Sequence, residues 1–135
     1  MIISAKDRIK LDEGFCGTVY QCTAGANTIG YGRNLDQNPI TQAEAEYLLD
    51  NDLKKIARQA QKFAFYQTLS TERRGVIINM IYNLGITRFN KFSKMISALF
   101  IEDYEKAAKE MLDSKWARQV GDRAIRLARI MRSGA

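Results

Sequence analysis

Three residues near the start of the chain are of types and at spacings that can do chemistry together: Glu13, Cys22 and Thr28. Glu13 falls at the last turn of a short helix. A carboxylate there faces the negative end of the helix dipole, and Asp12 beside it adds a second negative charge. A residue that breaks a local rule often marks a functional site; a surface glutamate with no role is the plainer alternative. Cys22 and Thr28 flank a turn rich in small residues, Thr23-Ala24-Gly25-Ala26-Asn27. With that turn centred on Gly25, the two lie opposite each other on paired strands. An acid, a thiol and a hydroxyl then converge where a proton donor faces a held water, which is the outline of acid-assisted hydrolysis.

The elements around these residues follow from local patterns. Ser4-Ala5-Lys6-Asp7 is a helix start, with Ser4 as N-cap and an acid three residues on, and Gly14 is a helix stop. The first helix is predicted over 4–13. Thr18–Cys22 and Thr28–Gly32 are β-prone and read as a hairpin inside a β lobe over 14–40. Thr41-Gln42-Ala43-Glu44 is a capping box. Ala45, Leu48, Leu49, Leu53, Ile56, Ala57 and Ala60 then keep helical spacing, which predicts a connecting helix over 41–62. A helical lobe over 63–135 completes the chain. In it, Val76–Leu84 is apolar nearly all round and reads as a buried helix ended by Gly85. Three amphipathic helices follow, the second N-capped by Asp103 and the last by Asp122. The fold class is α+β: a small N-terminal β-hairpin lobe joined by a long helix to a C-terminal helical bundle, one domain over 1–135.

Bulk composition narrows the function. With 135 residues and 46% hydrophobic residues the chain can build its own core without disulfides or metal. It contains no histidine, so a Cys₂His₂ zinc site and a Ser-His-Asp triad are both excluded, and neither metal nor cofactor is expected. No apolar run approaches a membrane span or a signal peptide, so stable membrane insertion is not expected. The net charge of +6 favours polyanionic partners, and six of the basic residues (Lys115, Arg118, Arg123, Arg126, Arg129, Arg132) fall after Ser114 against one acid, Asp122. A solvated helix face accounts for that cluster as well as an anion-binding surface does. Cys16 and Cys22 read as reduced thiols, a disulfide between them being the minor alternative because the hairpin already fixes the segment.

The spacing Glu13, eight residues, Cys22, five residues, Thr28 resembles the catalytic signature of the phage-type lysozymes, the T-even phage endolysin family, whose middle position is Asp or Cys. The neighbouring segments resemble it too, in order along nearly the whole chain: Leu11-Asp12-Glu13-Gly14, Thr28-Ile29-Gly30-Tyr31-Gly32, Ile40–Glu46, Arg73-Arg74, Ile78–Gly85, Ser114-Lys115-Trp116 and Asp122-Arg123-Ala124. The resemblance implies a bacteriolytic muramidase. It would hydrolyse the β-1,4 bond between N-acetylmuramic acid and N-acetylglucosamine of peptidoglycan, with inversion. Glu13 would be the general acid, with the water held by Cys22 and Thr28. Arg123 corresponds to an arginine that pairs with the catalytic glutamate, and Arg33 and Asp52 to an ion pair between the hairpin and the long helix. Tyr82, Asn34, Met95 and Glu110 correspond to substrate-contact positions. An apolar wall would raise the pKa of Glu13 and a tight Arg123 pair would lower it, and both remain open. A nearby Glu13 charge would raise the thiol pKa of Cys22, making it a poor base at neutral pH.

The stretch from Arg33 to Ile40 is short for the family, so one wall of the cleft should be reduced. The expected partner is peptidoglycan, not nucleic acid. The protein is expected to be a monomer held in the host cytoplasm until a holin-type pore releases it to the periplasm and wall. Two rivals remain: a nucleic-acid-binding helical domain, which leaves the hairpin signature unexplained, and a wall-binding protein with this fold but no catalysis, for which Cys22 is the argument.

Overall fold

The computed structural model describes residues 3–135. The chain forms two compact units, Met1–Leu48 and Leu49–Ala135.

The first unit begins with α1 (Ala5–Glu13). Ser4 is its N-cap, its Oγ accepting from the Asp7 amide at 3.1 Å, and Gly14 ends it at φ +69° with its amide donating to Lys10. Three antiparallel strands follow in the order β1 (Cys16–Gln21), β2 (Asn27–Gly30), β3 (Arg33–Asn34). The third strand is additional to the hairpin that the sequence predicts and lies at the start of the short stretch from Arg33 to Ile40.

The hairpin register corrects the expected pairing. Tyr20 faces Thr28 and Gln21 faces Asn27, so Cys22 does not face Thr28. The Cys22 amide donates to Ala26 O at 3.0 Å, and the Gly25 amide donates to Cys22 O at 2.8 Å. That is a three-residue loop, Thr23-Ala24-Gly25, in which Gly25 takes the left-handed position at φ +81°. The glycine is therefore the last loop residue and not the centre, which moves the register by one pair. Cys22 and Thr28 become diagonal neighbours across the strands.

Polar links hold the turn beyond β2. Asp36 accepts from the amide and side chain of Asn27 at 3.0 and 3.2 Å, and Asn34 Oδ1 accepts from the amides of Asp36 and Gln37. The capping box forms as the sequence predicts. Thr41 N donates to Glu44 Oε1 at 2.8 Å and Glu44 N to Thr41 Oγ1 at 3.1 Å. It opens α2 (Gln42–Gln61), along which the chain passes from the first unit into the second.

In the second unit a 3₁₀ turn (Ala64–Thr68) leads to α3 (Thr71–Leu84), capped by Ser70 and stopped by Gly85. Then come α4 (Ile86–Phe89), α5 (Ser93–Phe100), α6 (Tyr104–Leu112), α7 (Lys115–Val120) and α8 (Asp122–Ser133). Helices α4 and α7 are shorter than a hydrophobic period can reveal, so five helices follow Gly85 where three were expected. Asp103 caps α6 as predicted, by accepting from the Lys106 amide. Asp122 does not cap α8: Gly121 is the cap residue at φ +58°, and Asp122 sits in the first turn, where its charge suits the dipole.

The core centres on α3, with Val76, Ile77, Met80 and Ile81 buried against Phe89, Met95, Leu99, Met111 and Met131. Helix α6 packs on α5 and α8. Arg73 closes this arrangement. Its guanidinium lies over the Tyr104 ring at 3.6 Å and donates to the carbonyls of Met131 and Arg132 at 2.7 and 3.0 Å, neutralising the negative end of α8. No described helix is long and apolar enough to cross a membrane.

Candidate active site

Glu13 is the last residue of α1 and is exposed. Its carboxyl rests on Gly32, in the turn between β2 and β3. A Cβ built on Gly32 would stand 2.7 Å from Glu13 Cδ and closer still to Oε2. The carboxyl thus occupies the space where any other residue would carry its side chain. Around this contact Phe15 packs on Tyr31 with ring centroids 5.6 Å apart, and Lys10 Nζ sits 5.5 Å from the centre of the Tyr31 ring. The end of α1 is therefore tied to the β2–β3 turn by residues on both sides of the acid.

Thr28 is the one buried residue among those described in the first unit, at 3% exposure. Its hydroxyl donates to Ala26 O at 3.0 Å, so toward a water it offers lone pairs. Cys22 is half-buried at the mouth of the hairpin loop. The backbone amide of Ala26, then that of Ala24, holds its thiol pKa below the ordinary value; partial desolvation opposes them, and the Thr28 hydroxyl adds to the lowering. The expectation that Glu13 would push this pKa upward is thereby corrected. The tight loop turns amide N–H groups toward the sulfur, and they favour the thiolate. Both cysteines are free thiols. Strand β1 separates them, and at about 3.3 Å per residue six residues span on the order of 15–20 Å, far beyond disulfide reach.

Arg33 was expected to pair with Asp52. Within the first unit its partners are others: Nη1 donates to Glu44, Nε to Asn38 O at 2.9 Å, and Nη2 to Pro39 O at 2.8 Å and Asn38 Oδ1 at 3.3 Å. Four of its five N–H donors are engaged there. Asn34 has its acceptor oxygen in the adjacent turn, leaving its amide nitrogen as the group to offer a sugar.

In the second unit Arg123 donates through Nε and Nη2 to Asn79 Oδ1, at 3.0 and 2.7 Å. Asn79 lay within a motif the sequence singled out, yet its role in aiming this arginine could not be read from it. Tyr82, on α3, exposes about half its surface, 48%. A cavity of about 690 Å³ opens between α5, α6 and α7, with Glu110, Asp113, Arg88, Lys91, Lys94 and Lys115 among its polar lining and Met95 on its wall. Met95 is fully buried, so it can form a floor and little more. Trp116 is buried too, its indole N–H donating to Asn83 at 2.8 Å, which makes it a core residue.

A small β lobe carrying an acid at a helix end and a thiol beside a threonine, followed by a helical unit with a polar cavity, defines a lysozyme-like glycoside hydrolase. The comparisons give the family. The phage lysozyme family matches residues 10–132. A probable T4-type lysozyme of Dictyostelium discoideum is 28% identical over 164 aligned positions, which cover 99% of this chain and 96% of the relative. An endolysin of Acyrthosiphon pisum secondary endosymbiont phage 1 is 33% identical over 113 positions, covering 82% of this chain and 75% of its own. The pre-baseplate central spike protein Gp5 of Enterobacteria phage T4 is 29% identical over 161 positions; the match covers 98% of this chain but 28% of that protein. The chain belongs to the phage lysozyme family, and as such is a lysozyme acting on peptidoglycan. The alignment with the Dictyostelium protein is longer than the 135 residues here, so that relative carries segments this chain lacks.

Proposed function

We propose that this lysozyme hydrolyses the β-1,4 bond between N-acetylmuramic acid and N-acetylglucosamine with inversion at the anomeric carbon. Glu13 donates its proton to the glycosidic oxygen as the carbon–oxygen bond breaks. A water held by Cys22 and Thr28 attacks the anomeric carbon from the opposite face and gives up its proton there. Cys22 in its thiolate form accepts that proton, while the Thr28 lone pairs orient the water. Arg123, aimed by Asn79, and Arg33, held by Glu44, are the guanidinium groups this reading assigns to the support of the site. Tyr82, Asn34 and Glu110 contact sugar, with Met95 as floor. The observation that carries this reading is the presence, within one small unit, of a carboxyl seated on a glycine and a thiol whose charged form is favoured by backbone amides.

The protein acts as a monomer, needs no cofactor and binds no nucleic acid. The endolysin relative supports release to the cell wall. On this reading the protein stays in the host cytoplasm until a holin-type pore opens. The test is product analysis on purified peptidoglycan. Wild type should release reducing ends at N-acetylmuramic acid, and NMR should find the α-anomer first. Glu13→Gln should release none above background. A first product in the β configuration overturns inversion. Sedimentation with the wall without any new reducing ends would make the protein a binder.

A further inference from the structure

We infer that Gly32 is a positioning residue for the acid: its missing side chain is the seat that aims the Glu13 carboxyl. This rests on the proposed role of Glu13. Two glycines flank Tyr31, and both have positive φ, Gly30 at +70° and Gly32 at +77°. Backbone conformation therefore asks for glycine equally at both places. Their surroundings differ. A Cβ on Gly30 would meet nothing within 4 Å. A Cβ on Gly32 would meet Cγ of Glu13 at 3.2 Å, Cδ at 2.7 Å, and Oε2 closer still. Real Cβ atoms do not approach that closely, so something must move. What moves is decided by stiffness. The backbone of the turn is held by the β2–β3 pairing, whereas the Glu13 carboxyl is the far end of a flexible side chain. An alanine at 32 thus displaces the acid and leaves the turn in place.

A displaced acid still binds sugar at the unit's other contacts but meets the glycosidic oxygen badly. Misplacement by about 1 Å is enough to slow catalysis by on the order of 100-fold. The effect should fall on kcat and leave KM nearly unchanged, because a proton donor acts in the transition state. A residue that only kept the fold would not divide the two parameters that way.

The experiment compares Gly32→Ala and Gly30→Ala, by kcat and KM for reducing-end release and by thermal melting. Both variants should melt lower, Gly32→Ala by more, because it adds the contact with Glu13 to the same backbone strain. Gly32→Ala should lose about 10- to 100-fold in kcat with KM within about 2-fold, and Gly30→Ala should stay within about 3-fold of wild type. Equal kcat in the two variants overturns the inference. A second measurement covers the case in which Gly32→Ala does not fold. In a Glu13→Ala background the clash partner is gone, so adding Gly32→Ala should cost less stability than in wild type. If Glu13→Ala/Gly32→Ala also fails to fold, the glycine serves the backbone and the inference falls. Glu13→Gln with wild-type activity would sink the acid assignment instead, and the stability coupling between positions 13 and 32 would still be readable.

Discussion

The two units of this molecule are held by different forces. Among the described residues, all the buried apolar ones lie between Ile56 and Met131, in the second unit. Among the described residues of the first, Thr28 alone is buried, and side chains such as Leu11 and Phe15 are about three-quarters exposed, at 73% and 72%. The second unit is thus organised by the hydrophobic effect and tolerates imprecise polar contacts. The first is organised by hydrogen bonds that each contribute on the order of 1 kcal/mol, and by turns that leave few alternatives. The acid, the thiol and the hydroxyl all sit in the first. A site that needs directed N–H groups and a seat without a side chain is built more readily from turns than from a packed core.

Truncation should divide the units most sharply. Phe89→Ala removes a fully buried ring and should cost about 3–5 kcal/mol, seen as a large drop in the urea midpoint. Leu11→Ala should cost about 0.5 kcal/mol or less. Comparable losses would mean that the first unit has a core after all. Catalysis should reverse the order. Glu13→Gln should reduce wall lysis at least about 100-fold while the melting temperature barely moves, because an exposed residue that neither caps a helix nor packs in the core contributes little to stability. Lysis near wild type, with the fold intact, would remove Glu13 from the chemistry.

A smaller effect is expected at Cys22. Since the loop amides hold its pKa below the ordinary thiol value, wild-type lysis should rise with pH through a range below about 8.5, as thiolate forms. Cys22→Ser should flatten that rise and lose activity several-fold. Cys22→Asp should move the rise to acid pH and retain activity, since a carboxylate is ionised throughout. An unchanged profile in Cys22→Ser would show that sulfur ionisation plays no part.

Much of this architecture was legible because it is written in local signals. Ser4, Asp103 and the Thr41–Glu44 pair all cap helices as their spacing predicts, and Gly14 and Gly85 stop them. What escaped needs distances that the sequence does not carry. The Cys22–Thr28 register turned on whether Gly25 was the middle or the last residue of its loop, a difference of one position with the same composition. Gly32 was visible as a glycine, but nothing marked it as the one beneath the acid and Gly30 as the one that is not. Arg33 could be seen to want a carboxylate; which of several acids stood within reach depended on how the turn at Asn38 and Pro39 closes. Asn79 and Arg123 lie 44 residues apart and meet through the packing of α3 with α8, which periodicity indicates only as two apolar faces.

The gentlest test concerns the polar frame of the first unit. Glu44 has its pKa lowered first by the Thr41 amide and next by the Arg33 side chain. A carboxyl whose folded pKa is depressed adds stability above its unfolded pKa and loses it as pH falls through the folded one. The loss should therefore begin near the ordinary glutamate value, about 4.3, and be complete only at more acid pH. Below that range Glu44 is protonated, the capping box weakens, and Arg33 keeps only its carbonyl and amide partners at Asn38 and Pro39. Because the Arg33 and Glu44 side chains are 27% and 41% exposed, the effect should be small and should shrink further in salt. Melting curves of wild type and Glu44→Gln between pH 6 and pH 3, read at a probe in the first unit, compare the two states directly. Wild type should be the more stable at pH 6, and the curves should approach each other toward pH 3. A gap that stays constant over that range would mean that charge on Glu44 does not hold the frame, and that the hydrogen-bonding shape of the box alone does.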